Sequence, residues 1–428
     1  MPAFLIEGGH PLIGEVTPAG NKNAALPLLT ACLLTTEPVV LHNMPIIGDV
    51  QTMKMLMESL GVSIEVLDSH SWQVHAKELR LGDIDPDLCR RIRASILLAG
   101  PMLGRIGRVD LPPPGGDVIG RRRIDTHLLA LEALGTEVSY TDRDMHLKAP
   151  GGLKGAEILL DEASVTATEN AIMAAVRASG KTVIRNAASE PHIQDLCQFL
   201  NHLGAEIENI GSNTLHIMGV DELHGGEFTI GPDYLEVVSF IGAAAVTRGE
   251  ILVKNAAPEY LEMVRLVFCR LGVQWEIRGD DIFVPKEQSM QIEPDLGGQI
   301  PQISVMPWPA FPTDLMSIAI ILATQSNGTV LFHDWMYETR MFFIDKLVSM
   351  GARIVLCDPH RSIVQGPSSL MGEVLESPDI RAGLALTLAA LSANGTSRIN
   401  NISQIERGYE RIDDKFSALG ARIERVDD

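Results

Sequence analysis

Six segments rich in Ala and Leu, residues 24–34, 94–103, 170–178, 237–246, 315–324 and 382–393, carry small or apolar side chains on nearly every face. That pattern predicts helices buried all round. A short strand ending in a polar residue follows, as in 183–186, 251–255 and 330–334, and then a second, more amphipathic helix. Each cycle closes on one phrase: Leu or Met, then Gly, then two residues, then an apolar residue opening an alternating stretch. It begins at Leu60, Leu134, Leu203, Leu271, Met350 and Leu419. Gly in this place predicts a helix C-cap leading into a strand. The repeat therefore reads as helix, strand, helix, strand with room for another strand, the first helix of each inside and the second outside. Copies this long suggest globular lobes rather than a thin solenoid.

Three repeats per lobe is the natural division. Turns at 18–21 and 231–232 predict one lobe of residues 22–232 and another of 1–21 plus 233–428, with the chain crossing twice.

Composition narrows the function. Of 428 residues, 46% are hydrophobic, ample for large cores, and no apolar run reaches the length of a membrane span. No basic region leads into an apolar block at the start, so no secretory signal is expected and a cytoplasmic location is. The five cysteines are scattered and odd in number, which fits inert thiols in a reducing compartment better than disulfides or zinc. A net charge of -20 argues against nucleic acid or an anionic membrane as partner. An anionic small molecule would need its cations gathered in one place. Oligomeric state is left open.

The repeat shows where charge gathers. Ten to thirteen residues before the six phrases stand Asp49, Arg122, Glu190, Glu259, Arg340 and Arg407, expected near the start of the second helix. Thirty-six to forty-one residues before them stand Lys22, Arg93, Ser164, Asp233, Asp314 and Arg381, near the start of the first. Acidic residues there cap a helix, whereas the helix field disfavours cations. Salt bridges explain single cases, and anion binding explains the set better. Asp314, in the turn 311–314 that enters an apolar helix, is either an N-cap or a general base held among cations.

One loop carries chemistry of its own. Residues 111–127 hold three prolines, Gly115, Gly116 and Gly120, so they predict neither helix nor central strand and a course over the surface. Asp117 followed by Arg121, Arg122 and Arg123 is either a solvated charge run or an acid and an anion grip on a lid. His127, beside the arginines, is the one histidine set apart. No phosphate loop, dinucleotide fingerprint or closely spaced metal-ligand set is present.

With Lys22-Asn23, Arg93-Ala-Ser, the Gly-Gly-Asp loop, Phe311-Pro-Thr-Asp314, Asp379-Ile-Arg381 and Arg407-Gly-Tyr-Glu-Arg411 in view, the chain resembles the enolpyruvyl transferase family over essentially its whole length. The resemblance implies an α/β fold of two inside-out barrel-like lobes, six βαβαββ units in all. It implies transfer of the enolpyruvyl group of phosphoenolpyruvate to the 3-hydroxyl of UDP-N-acetylglucosamine, the first committed step of peptidoglycan synthesis, with no metal or organic cofactor. Residue by residue it implies that Lys22, Arg122 and Arg407 hold phosphate, and that Arg340 and Arg381 hold the carboxylate or neighbouring charge. Asp314 becomes the base on the sugar hydroxyl. Asn23, Arg93, the run Arg122, Arg123, Ile124 and Asp125, and Ser164 with Val165 line the substrate pocket.

The chain departs from the commonest family pattern in several places. Asp117 stands where most members have Cys, so a carboxylic acid would protonate the methylene carbon, given burial or a neighbouring anion to raise its pKa. Alkylation by fosfomycin, which needs the thiolate, is then ruled out. Leu97 replaces a usual Trp, Glu162 a usual Lys, and Tyr234 a usual Arg. These changes admit a different uridine nucleotide as acceptor, and a catalytically silent nucleotide-sugar sensor would also keep the arginines, though it would not need Asp314.

Overall fold

In a computed structural model describing residues 2–80, 84–117 and 119–427, the chain divides into two compact units. One comprises residues 1–19, 118–121 and 232–428, the other 20–117 and 122–231. The chain passes between them four times, where the sequence suggests two. Residues 119–121 account for the difference, because the Thr339 amide donates to the Ile119 carbonyl at 3.3 Å and the Arg121 amide to Glu338 at 3.0 Å.

Each repeat forms its own small sheet. Gln302–Ser304 runs parallel to Gly328–His333, which pairs antiparallel with Arg361–Gly366, and that with Arg353–Asp358. The helix Met316–Gln325 joins the first two strands and Ile344–Ser349 leads to the last two, giving β-α-β-α-β-β. Glu157–Leu159, Lys181–Arg185, Thr214–Met218 and Glu206–Glu208 repeat the order. Two sheets take their parallel edge strand from far along the chain: Ile13–Val16 pairs with Glu250–Val253, and Gly226–Thr229 with Val39–His42. In a third sheet Val374–Glu376 is the parallel edge strand, and Ala3–Glu7, also distant in the chain, takes the inner antiparallel place between Thr396–Asn400 and Arg422–Val426. Arg108–Leu111, Asp144–Lys148 and Glu137–Thr141 make the sixth sheet among the described residues. Among the described residues the sheets are separate, with no closed barrel.

The first helix of each repeat is buried, as its even apolar distribution requires. Tyr234–Thr247, Met316–Gln325 and Ile380–Ser392 are the inner helices of one unit, and nearly every residue in them is shielded from water. They meet closely at Gly242, where an added Cβ would fall 2.8 Å from Ile318 Cγ2 and 3.3 Å from Leu388 Cδ2. Lys22–Ala31, Ala99–Ile106 and Val165–Ala175 are the inner helices of the other, where the Asn170 side chain accepts from the Gly100 amide at 2.8 Å.

All six outer helices end alike. The glycines of the recurrent phrase, Gly61, Gly135, Gly204, Gly272, Gly351 and Gly420, have φ between +82° and +101°. The next residue's amide reaches back to close the last turn, as Val62 does to the Met57 carbonyl and Ala421 to that of Phe416. Left-handed backbone is costly for any residue with a Cβ. At Gly420 an added Cβ would have its nearest neighbour at 3.9 Å, whereas at Gly272 it would lie 2.3 Å from the Gln291 nitrogen. Gly420→Ala should therefore cost about 1 kcal/mol from backbone strain alone, and Gly272→Ala distinctly more because its backbone must also shift. Equal losses in urea denaturation would contradict this reading of the two sites.

Candidate functional site

The unit containing residues 232–428 places Asp314 between two arginines. Pro312 and Thr313 begin a single tight turn, Thr313–Leu315, that feeds the buried helix Met316–Gln325. The N-cap residues of turn and helix are Pro312 and Leu315, neither of which supplies a side-chain cap. Arg340 Nη2 lies 2.7 Å from Asp314 Oδ1 and Arg381 Nε lies 3.5 Å from Oδ2. Of the two readings open from the sequence, the carboxylate held among cations is the one the geometry adopts.

Both guanidiniums are buried, Arg340 4% and Arg381 6% exposed. Burial opposes their charge, but surrounding groups outweigh it. Arg381 is raised above its ordinary pKa by Tyr409, Asp314 and Asp233, and Arg340 by Asp314, Asp379, Tyr337 and Asp334. Arg340 also lies 5.3 Å from the Tyr337 ring centroid and Arg381 5.2 Å from that of Tyr409. Even so, Arg340 Nε and Arg381 Nη1 are buried without a hydrogen-bond partner. Such donors are costly to leave unmet, which marks the pair as suited to a further anion. Exposure separates the carboxylates: Asp233, Asp334 and Asp379 are 2%, 0% and 7% exposed, while the Asp314 side chain is 30% exposed. Only Asp314 among the four is open enough to meet a substrate.

Two of these carboxylates serve as helix caps. Asp379 accepts from the amides of Arg381 and Ala382, so Arg381 stands at the second residue of its helix, where a cation is disfavoured and a capping anion offsets it. Asp233 does the same for Leu235 and Glu236. Arg407 ends the short helix Ser403–Glu406 and donates to Gln404 at 3.0 Å. Tyr409 and Asp379 belong to the sequence motifs around Arg407 and Arg381 without a role that the sequence alone assigns, and Tyr337 gives no signal there.

In the unit of residues 20–117 and 122–231, Lys22 opens its helix and pairs with Asp49 at 2.8 Å, both largely buried. Asn21 caps the same helix, accepting from the Asn23 amide. Arg93 Nη2 donates to the carbonyls of Arg122 and Arg123 at 2.9 and 2.7 Å, so it holds the segment ahead of the helix Asp125–Ala133. Arg123 pairs with Asp125 and Asp161, and Asp161 also takes the Thr126 hydroxyl at 2.6 Å. Ile124 and Arg122 are half-buried. Ser164 caps the helix that begins at Val165. Asp161 leaves no local signal in the sequence, because its partners lie 35 and 38 residues away.

Three expectations need correction. Arg122, Arg340 and Arg407 do not sit at the start of the second helices, which begin at Asp125, Ile344 and Ile412. The helix field therefore does not bear on them as it does on Lys22 and Arg381. The loop is also less exposed than its composition suggests. Residues 113–117 are half-buried, the Gly115 amide donates to the Cys89 carbonyl at 3.0 Å, and a Cβ there would lie 1.7 Å from the Arg90 carbonyl oxygen. Asp117 lies in this stretch; the next position, 118, is outside the described residues. His127, finally, is buried inside the helix, bridging Thr166 at 3.0 Å and Asn170 at 2.8 Å. Among the described residues no His, Cys, Asp and Glu group could hold a metal ion.

A model of the EPSP synthase (3-phosphoshikimate 1-carboxyvinyltransferase) family matches residues 6–416. The UDP-N-acetylglucosamine 1-carboxyvinyltransferase of Bradyrhizobium diazoefficiens is 56% identical over 423 residues, covering 99% of this chain and 98% of that protein. Proteins of the same name from Treponema denticola and Bacteroides fragilis are 52% and 48% identical, the first over 99% of both chains and the second over 100%. Among solved structures, the enolpyruvyl transferase NikO from Streptomyces tendae superimposes with a TM-score of 0.87 at 23% identity over 99% of both chains. EPSP synthase from Acinetobacter baumannii does so with 0.75 at 16% over 100% of both. The last two establish the fold.

Burial, with Arg93 nearby, pushes His127 down from 6.5 to about 3. The unfolded chain then binds a proton that the folded one refuses between those values, so stability is lost as pH falls through that window. Between pH 6.5 and 5 the loss attributable to His127 should be about 2 kcal/mol. His127→Gln should flatten the stability profile by that amount in urea denaturation, and an unchanged slope would show that the imidazole is not held neutral.

Proposed function

Because the chain belongs to the EPSP synthase family of enolpyruvyl transferases, we propose that it transfers the enolpyruvyl group of phosphoenolpyruvate to the 3-hydroxyl of UDP-N-acetylglucosamine, releasing phosphate. Full-length likeness at 56% identity to a protein named for that activity carries the reading. The reaction is the first committed step of peptidoglycan synthesis. It belongs in the cytoplasm, and among the described residues no helix is long and apolar enough to cross a membrane.

The chemistry follows from the residues. Asp314 takes the proton of the sugar hydroxyl as its oxygen bonds to C2 of phosphoenolpyruvate, while Asp117 gives a proton to C3. The methylene becomes a methyl group and C2 becomes tetrahedral. Return of a C3 proton to the Asp117 carboxylate then restores the double bond as the C2–O bond to phosphate breaks. A carboxylate with an ordinary pKa of about 3.9 is a weak base at rest, so it acts only as positive charge develops on the attacking oxygen, and its position governs the rate. Arg340 and Arg381 hold Asp314 in place and offer their remaining donors to the substrate carboxylate. Lys22, Arg122 and Arg407 take the phosphate, and Asn23, Arg93, residues 122–125, Ser164 and Val165 the nucleotide sugar.

A second acceptor is favoured by one observation. Tyr234, where the family pattern has Arg, is buried, its ring 5.9 Å from that of Trp308. An aromatic pair in place of a cation changes what can be bound nearby. The experiment is phosphate release from phosphoenolpyruvate with UDP-N-acetylglucosamine, other uridine nucleotides or shikimate 3-phosphate, with and without fosfomycin preincubation. Release with UDP-N-acetylglucosamine, unaffected by fosfomycin, is expected. Release only with another uridine nucleotide would move the acceptor, release with none would leave a binding protein, and loss of activity on preincubation would contradict the place given to Asp117.

A further inference from the structure

Asp334 is a buried carboxylate to which the reaction assigns no part. It is 0% exposed, yet its two oxygens reach opposite sides of the Asp314 site. Oδ2 accepts from the Thr313 hydroxyl at 2.6 Å, in the residue just before Asp314. Oδ1 accepts from the Met336 amide at 3.1 Å, at the start of the loop that carries Arg340. The Asp334 backbone is fixed in turn by His360, which supplies a carbonyl to its amide at 2.8 Å and a ring nitrogen to its carbonyl at 2.7 Å. One side chain thus ties the turn bearing Asp314 to the loop bearing Arg340, and its backbone is anchored at the turn between the strands Arg353–Asp358 and Arg361–Gly366.

Asp314 has an alternative without this tie. It enters the helix Met316–Gln325, whose N-cap residue, Leu315, offers no side-chain cap, and although the Met316 amide is taken by the Thr313 carbonyl, an aspartate there readily turns to accept from the amide three residues on. That geometry would withdraw the carboxylate from Arg340 and Arg381. We propose that Asp334, through the Thr313 hydroxyl, is a positioning residue that keeps Asp314 on the arginines and off the helix amides. Burial raises Asp334 from its ordinary pKa, while the hydroxyl and Arg340 pull it back, in keeping with a carboxylate that spends its hydrogen-bonding capacity on neighbours and not on water.

This proposal rests on the reading of Asp314 as the base, so its test has an arm independent of turnover. Thr313→Val removes the hydroxyl at nearly constant volume, and Thr313→Ser restores it. Thr313→Val should lower kcat about 10- to 100-fold, as a displacement on the order of 1 Å would, with KM for both substrates within about twofold and Thr313→Ser close to the parent. Asp334→Asn should show the same split. Unchanged kcat in Thr313→Val overturns the proposal, as does a loss that Thr313→Ser fails to restore and that tracks melting temperature. The second arm is a crystal structure of Thr313→Val. Asp314 turned onto the helix amides supports the tie, and Asp314 still 2.7 Å from Arg340 overturns it. If the parent protein releases no phosphate, the functional reading fails, and the crystallographic arm decides the positioning on its own.

Discussion

Two buried guanidiniums facing one half-exposed carboxylate are the constraint on which the candidate site depends. Arg340 and Arg381 arrive on different elements, one from the loop after the strand Gly328–His333 and one from the second residue of the helix Ile380–Ser392. Buried like charges repel strongly, and each cation taken from water has a desolvation cost that only nearby anions repay. Asp314 reaches both, while Asp379, Asp334, Asp233 and the phenols of Tyr337 and Tyr409 surround them. The cluster is therefore rigid for an electrostatic reason as well as a packing one. Its donors without partners point to one more anion as the group that completes it.

The repeat explains how such a cluster is assembled. At the start of four of the six inner helices stands a cap or a charge: Ser164, Asp233 and Asp379 cap, while Lys22 and Arg381 bring cations to first-turn positions; the other two, Ala99–Ile106 and Met316–Gln325, are entered through tight turns that carry Arg93 and Asp314. Duplicating the unit duplicates that position. Substituting it copy by copy then distributes acids and bases without disturbing the apolar helices behind, whose close approach at Gly242 leaves little freedom. In the unit around Lys22 the same logic gives the Lys22–Asp49 pair and the Arg93 clasp on residues 122 and 123.

Much of this was legible in the sequence, for reasons particular to each residue. The six glycines announced helix ends because left-handed backbone all but requires them. The inner helices were plain because apolar side chains covered every face. Counting back from those glycines misplaces Arg122, Arg340 and Arg407, because the outer helices differ in length. Gly48–Ser59 and Pro191–His202 have twelve residues, but Ile344–Ser349 has six, so the same count falls inside one helix and ahead of another. Asp314 is ambiguous in sequence because a turn before an apolar helix suits a cap and a base equally, and its place among cations comes from Arg340 and Arg381, distant in sequence. His127 looked functional by its neighbours, but burial and the Thr166 and Asn170 contacts give it a structural part.

The central claim is that the Asp314 carboxylate, fixed by its arginines, takes the proton of the attacking hydroxyl. Replacing it by Asn keeps the shape and removes the base, so calorimetric nucleotide affinity and single-turnover rate, measured on Asp314→Asn beside the parent, separate binding from chemistry. The account predicts affinity close to that of the parent with turnover lower by at least about a hundredfold. Turnover equal to that of the parent would contradict it.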